Sequence, residues 1–252
     1  MSETILVFDR NHASLLGPRP PATIIAAASM TQDAEKQAAA RASLRFVHDG
    51  NIVGLGSGST AAYAVKFLGE RVQAGLKITG IPTSNATKEL ATTLGIPLTT
   101  LDKITEIDVT IDGADEIDPQ LSLIKGGGGA LLHEKIVASA SRRLVIIADS
   151  SKQVPTLGKF PVPLEVISFA QALVKRKVEA LGASVNLRMA GDKPYLTDEG
   201  HHILDCHFGA IPDVLALARK LSNMPGIVEH GLFVKMANTV LIAKGPELTE
   251  LP

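Results

Sequence analysis

One cysteine among 252 residues, Cys206, excludes an internal disulfide and a cysteine metal cluster, and it fits a reducing, cytoplasmic compartment. It reads as a small buried hydrophobe in a strand. Neither sign of charge is in excess, with 25 Lys and Arg against 26 Asp and Glu, and no basic run offers a nucleic-acid or anionic-membrane surface. No apolar stretch approaches the roughly 18 residues of a membrane span. Targeting patterns are missing too. Residues 1–29 carry Glu3 and Asp9, a four-residue run "ILVF", then "GPRPP" and "ATIIAAAS", which fits neither a signal nor a transit peptide. They are expected to be a poorly ordered extension before a fold that begins near Met30. There is no internal repeat and no low-complexity tract.

What is present is a 45% hydrophobic chain, long enough to bury a sizeable core, in which helix and strand patterns alternate. Asp33 is a candidate N-cap for "AEKQAAARASLRFV", which Gly50 closes before the strand "NIVGL". A helix through "AAYAVKFLGERV", the strand "LKITGI", a helix capped by Ser84, the strand "EIDVTI", the helix "ALLHEKIVASAS" and the strand "LVIIAD" follow. This rhythm predicts an α/β fold with a parallel sheet covered on both faces, three layers in all. From about Lys159 the texture changes. "KFPVPLEVI" is extended, Ser168 with Gln171 suggests a capping box on "FAQALVKRKVEALG", and "SVNLRM", "YLT" and "HILDCHF" look antiparallel around a turn at "DEG". Residues 30–158 and 231–252 are therefore expected to form the catalytic α/β domain, and residues 159–230 a smaller α+β subdomain.

Four strand ends carry residues suited to chemistry. "GLGSGST" opens a helix, where Ser57, Gly58, Ser59 and Thr60 would form an anion cradle at the positive end of the dipole, unless the segment is only a tight turn. Ser59 stands where a dinucleotide fingerprint needs its third glycine, and a P-loop lysine is lacking. "IDGADEID" places Asp112 and Asp115 beyond a strand, where two carboxylates could share proton traffic; a metal loop and an ordinary acidic turn are the rival readings. Its spacing matches no EF-hand, and no histidine pair supports a transition metal. "KGGGGALLHEK" sets Lys125 before four glycines and Glu134 one helical turn later. At 100° per residue, Leu132, Ile136 and Ala140 would face the core and Glu134 would point away from it. Bare N–H groups beside a lysine would stabilise an oxyanion that a nearby carboxylate creates; the alternative is a solvated first-turn acid. "ADSSKQV" adds Lys152, a crevice lysine or a solvated one.

These four segments, in this order, resemble the A-type ribose-5-phosphate isomerase family, and "FPVPLEV", "ILDCHF" and "PGIVEHGLF" extend the likeness over about residues 30–245. The resemblance implies interconversion of ribose 5-phosphate and ribulose 5-phosphate, a step of the non-oxidative pentose phosphate pathway, by a cytoplasmic homodimer or tetramer without metal or organic cofactor. It implies Glu134 as the base that moves a proton between C2 and C1 through a cis-enediolate. Asp112 and Asp115 would handle hydroxyl protons and ring opening. Lys125, with Gly126, Gly127 and Gly128, would steady the oxyanion beside Gly113 and Ala114, while Ser57 to Thr60, Lys36 and Lys152 would hold the phosphate. His133 stands where the family often has arginine. The wider fold group includes coenzyme A transferases, which would use a glutamate as nucleophile, and sugar-sensing repressors, whose DNA-binding helices residues 1–29 are too short and too uncharged to supply.

Overall fold

The computed structural model describes residues 31–252, so the extension expected at residues 1–29 lies outside the described residues. In chain order, α1 (Gln32–Ser43) leads to β1 (Ile52–Leu55), α2 (Ser59–Gln73), β2 (Thr79–Pro82), α3 (Asn85–Thr93) and β3 (Val109–Asp112). Two short strands, β4 (Glu116–Ile117) and β5 (Leu123–Ile124), precede α4 (Leu131–Ser139) and β6 (Leu144–Asp149). Next come β7 (Val162–Val166), α5 (Gln171–Glu179), β8 (Ser184–Leu187), the hairpin of β9 (Met189–Ala190) and β10 (Lys193–Pro194), β11 (His202–His207) and α6 (Val214–Ser222). The chain ends through β12 (Ile227–His230), β13 (Leu232–Phe233), β14 (Thr239–Lys244) and β15 (Glu247–Leu251).

The main sheet runs β15-β14-β6-β3-β1-β2, parallel except for the β15 edge. Strand β6, "LVIIAD", is buried at every position because both of its faces are covered. Val145 and Ile147 join the core that includes Leu44, Val65 and Leu68, while Leu144, Ile146 and Ala148 pack with Ile117, Leu123 and Phe233 on the other side. From β1 the chain steps outward to β2, then crosses back so that β3 lies on the other side of β1. That reversal opens a crevice beyond the carboxyl ends of β1 and β3, the usual place for a ligand in such sheets. A second core lies between α5, α6 and the antiparallel sheet β12-β7-β11-β8. The three-stranded sheet β13-β5-β4 stands beside the crevice and carries Lys125 at its end. No helix among the described residues is long and apolar enough to cross a membrane.

Several local expectations need correction. Thr31, not Asp33, caps α1: its extended backbone lets its hydroxyl accept the Ala34 N–H at 3.2 Å. Asp33 lies within the first turn and instead accepts the Tyr63 hydroxyl. The helix ends at Ser43 rather than running to Gly50, and a 3-10 turn over Leu44–Phe46 completes it. No capping box opens α5, since a 3-10 turn over Ser168–Ala170 separates Ser168 from the α-helical residues. Gln171 bonds His202 at 2.7 Å instead. The segment "YLT" is not a strand; the hairpin partner of β9 is Lys193–Pro194.

The α4 correction bears on function. Its buried face is Leu131, Glu134, Val137 and Ala138, whereas Ile136 is 41% exposed. Hydrophobicity alone selected the wrong face, because the helix turns its glutamate inward to meet a buried partner. Cys206 lies in β11, 1% exposed, with its thiol directed at the Leu204 carbonyl. Cys206→Ser is expected to keep the fold and the site, with a loss on the order of 1 kcal/mol from an imperfectly satisfied buried hydroxyl. Urea unfolding measures that loss, and a collapsed transition would contradict it.

Candidate active site

Strand β1 delivers the chain to a glycine turn at the sheet's switch point. Gly56 has no room for a side chain: a Cβ there would strike the Asp112 carboxylate of the neighbouring strand. Gly58, at φ +93°, starts α2 without a side-chain cap, so the first-turn N–H groups of this 15-residue helix are left for an anion. The Ser57 hydroxyl is shared with Thr83, Ser84 and Thr87 at 2.8, 2.7 and 3.2 Å. Ser84 also caps α3 as expected, by accepting the Thr87 N–H.

Beneath this turn lies a buried charge cluster. Lys125, 2% exposed, is 3.0 Å from Asp112 Oδ2 and 3.2 Å from Glu134 Oε1, and donates to the Gly113 carbonyl at 2.6 Å. Burial opposes its charge, but Asp112 and Glu134 hold its pKa above the ordinary lysine range. One cation cannot neutralise two carboxylates. Asp112 Oδ1 accepts the N–H groups of Ser57 at 3.1 Å and Gly113 at 2.7 Å, whereas Glu134 Oε2 has no partner among the described residues. Burial raises both acids, against the pull of Lys125, and takes Glu134 up to about 8. The two acids therefore titrate as one pair that shares a proton.

Three of the four glycines have a steric reason. Gly126 and Gly129 take φ of +101° and +86°, where a side chain would be strained and would also strike Leu131 and Tyr195 respectively. A Cβ on Gly127 would lie 2.6 Å from Asp115, whose Oδ2 accepts the Gly127 N–H at 2.7 Å. Only Gly128 faces open space.

One polar cavity gathers most of the expected site. Ser57, Gly58, Ser59, Thr60, Gly113, Ala114, Asp115, Lys125, Gly126, Gly127, Gly128, Glu134 and Lys152 line it. Two residues differ from expectation. Asp112 does not line it but lies below, 1% exposed and committed to Lys125 and two backbone amides. Lys36, on α1, is outside the lining as well. The other acids of "DGADEID" are structural: Glu116 accepts the Gly158 and Phe160 N–H groups, and Asp118 those of Gln120 and Ser122, which removes the metal-loop reading. His133 turns to Glu199 at 2.8 Å. Sequence reasoning missed Glu35 and Asp149, which clamp the turn leading to Lys152 by accepting from Ser150 and Ser151, and it missed Arg188 and Tyr195 at the glycine carbonyls. The Asp149–Ser151 contact is local, but no local motif signals those of Glu35, Arg188 and Tyr195, which join residues far apart in the chain.

Residues 79–246 match the family model described as ribose 5-phosphate isomerase A (phosphoriboisomerase A). The chain belongs to this family. A Bradyrhizobium diazoefficiens protein named ribose-5-phosphate isomerase A is 54% identical over 222 residues, 84% of this chain and 92% of that protein. A solved D-ribose-5-phosphate isomerase in complex with phospho-erythronic acid superposes with a TM-score of 0.86 at 39% identity, over 88% of this chain and 99% of that one. The enzyme of Methanocaldococcus jannaschii gives 0.84 at 39% identity, over the same shares.

The burial of Glu134 has a consequence for stability. With a folded pKa of about 8 against an ordinary 4.5, the native state holds a proton that the unfolded chain has released between those values. Its contribution is complete below pH 4.5 and is lost as pH rises through about 8. Glu134→Gln is therefore expected to gain stability relative to the unmodified chain as pH rises from about 5 to about 8, as read by thermal melting. A pH-independent difference would disprove the inward, protonated glutamate.

Proposed function

We propose that the chain interconverts ribose 5-phosphate and ribulose 5-phosphate by proton transfer through a cis-enediolate, with Glu134 as the base. The observation that carries this reading is a buried carboxylate, its pKa raised towards neutrality, that lines the same cavity as a buried lysine and a bare glycine loop. The phosphate lies at the uncapped start of α2 with Ser57, Gly58, Ser59 and Thr60, and Lys152 closes that end. Lys36 is a second phosphate ligand.

With the sugar open, ionised Glu134 takes the C2 proton while the C1=O π electrons move to O1 and a C1=C2 bond forms. Lys125 and the glycine N–H groups stabilise the charge that develops on oxygen. A proton then passes from O2 to O1, for which Asp115, the other carboxylate lining the cavity, is the carrier. As the C2=O bond forms, C1 takes back the proton held by Glu134. A base whose pKa lies near working pH combines availability with strength, which burial provides here. Asp112 acts from below by keeping Lys125 charged and in place. All these groups are the chain's own, and no step calls for a cofactor. The reading carries with it a cytoplasmic setting, supported by the single buried thiol, and a homodimer, which sedimentation of the purified chain tests.

Glu134→Gln keeps the shape but cannot accept a proton, so turnover should fall by at least the roughly 10²–10⁴-fold typical of general base catalysis. Exchange of the C2 hydrogen of ribose 5-phosphate with solvent deuterium should be suppressed in parallel. A folded variant exchanging at the unmodified rate would transfer the role of base to another carboxylate. Lys152→Ala and Lys36→Ala should each raise KM more than they lower kcat, because a phosphate contact is made equally in ground and transition states. The larger effect is expected for Lys152, which lines the cavity. Steady-state kinetics decide this, and an abolished kcat with unchanged KM would place that lysine at the reacting end.

A further inference from the structure

The antiparallel sheet of the smaller core sends one charged side chain back towards the site. Arg188, which follows β8, grips Asp205 of β11 with two prongs, Nε to Oδ2 at 2.9 Å and Nη2 to Oδ1 at 2.5 Å. Its remaining nitrogen, Nη1, donates to the carbonyls of Gly126 at 2.9 Å and Gly127 at 3.1 Å. Neither Arg188 nor Asp205 lines the catalytic cavity.

A trans peptide unit is planar, so the carbonyl of one residue and the N–H of the next point in opposite directions. Holding the Gly126 carbonyl therefore sets the Gly127 N–H, which reaches Asp115 Oδ2. Holding the Gly127 carbonyl turns the Gly128 N–H away from Arg188. Among the described residues that N–H meets no acceptor, and Gly128 lines the cavity. The Gly129 N–H is turned back onto the Gly126 carbonyl at 2.9 Å. Four glycines in a row have wide conformational freedom, and without an anchor this donor would be spread over many directions.

We propose that Arg188, oriented by Asp205, is a positioning residue for isomerisation: it locks the glycine loop so that the Gly128 N–H is aimed at the developing oxyanion and Asp115 is held beside it. Arg188 touches no reacting atom. Its contribution is realised where oxygen charge is greatest, in the transition state rather than in phosphate binding. This inference rests on the isomerase reading above.

The test uses the full chain with Arg188→Gln, Arg188→Lys and Asp205→Asn. Ribose 5-phosphate kinetics are measured alongside inhibition by phospho-erythronic acid, whose carboxylate carries charge where the enediolate would, and by inorganic phosphate. Arg188→Gln should lower kcat by about 10–100-fold, somewhat less than loss of an oxyanion donor itself, with KM changed less than about threefold. Phospho-erythronic acid should lose affinity in parallel with kcat, and inhibition by phosphate should hold. Arg188→Lys should recover little, since an ammonium lacks the planar fork that spans carboxylate and carbonyls. Asp205→Asn, which keeps Arg188 but loosens its orientation, should show a milder fall in kcat at steady KM, and this decides the matter if Arg188→Gln does not fold. A folded Arg188→Gln with kcat within twofold of the unmodified enzyme, unchanged phospho-erythronic acid affinity, or full recovery by lysine would overturn the positioning role alone. An unmodified chain inactive on ribose 5-phosphate would overturn the isomerase reading beneath it.

Discussion

The ammonium of Lys125, buried between Asp112 and Glu134, is the constraint on which the rest of the site depends. A buried lysine is costly to desolvate, and so is each buried carboxylate, so the three are tolerated only together and only with good geometry. Their arrangement leaves one carboxylate in excess, and the excess appears as raised pKa values on Asp112 and Glu134, which titrate as a pair. Removing Lys125 would leave two carboxylates buried without a cation.

The demands of this cluster reach into the backbone. Gly56 is glycine because Asp112 occupies the space where its side chain would be, and Gly127 because Asp115 does. The α4 helix presents Glu134 inward at the expense of Ile136, which is left half in solvent. Lys125 follows β5 directly and is held in place because β13 pairs beside that strand and the Gly231 carbonyl accepts the Lys125 N–H at 2.9 Å. Packing of the second core is thereby coupled to the position of Lys125 through β5 and β13.

Two supports of different origin hold the ends of the crevice. At the Lys152 end, Glu35 of α1 accepts both the N–H and hydroxyl of Ser150, and Asp149 accepts those of Ser151, which fixes the turn that bears Lys152. The Gly245 N–H, and after it the Ser150 contacts, hold the Glu35 pKa below its ordinary value against its burial. At the glycine-loop end the support is the Arg188 guanidinium, which holds the Gly126 and Gly127 carbonyls. A loop of four glycines has no stiffness of its own, so a mobile-looking sequence can form a rigid surface only when its carbonyls are held from outside.

How much of this was legible in the sequence follows the range of the interactions. Period and punctuation made the alternating strands and helices readable, and the Ser84 cap with them, because those signals are local. The motifs after β1, β3 and β6 were readable as one site because parallel strands bring their carboxyl ends to a common edge, whereas Lys125 and its glycines reach that edge from β5 of the separate antiparallel sheet. The burial of Asp112 beneath Lys125, the inward face of α4 and the Thr31 cap were decided only by tertiary structure. A hydrophobicity pattern ranks faces by side-chain polarity, and it cannot register that a buried cation makes the glutamate side of α4 the inner one. Arg188 and Asp205 carried no signal at all, since their task is set by the position of glycine carbonyls 61 and 62 residues from Arg188 in the chain. The sequence by itself determined which residue types meet at the crevice; the tertiary structure decided which of them line the cavity and which hold the others in place, because only packing sets burial and direction.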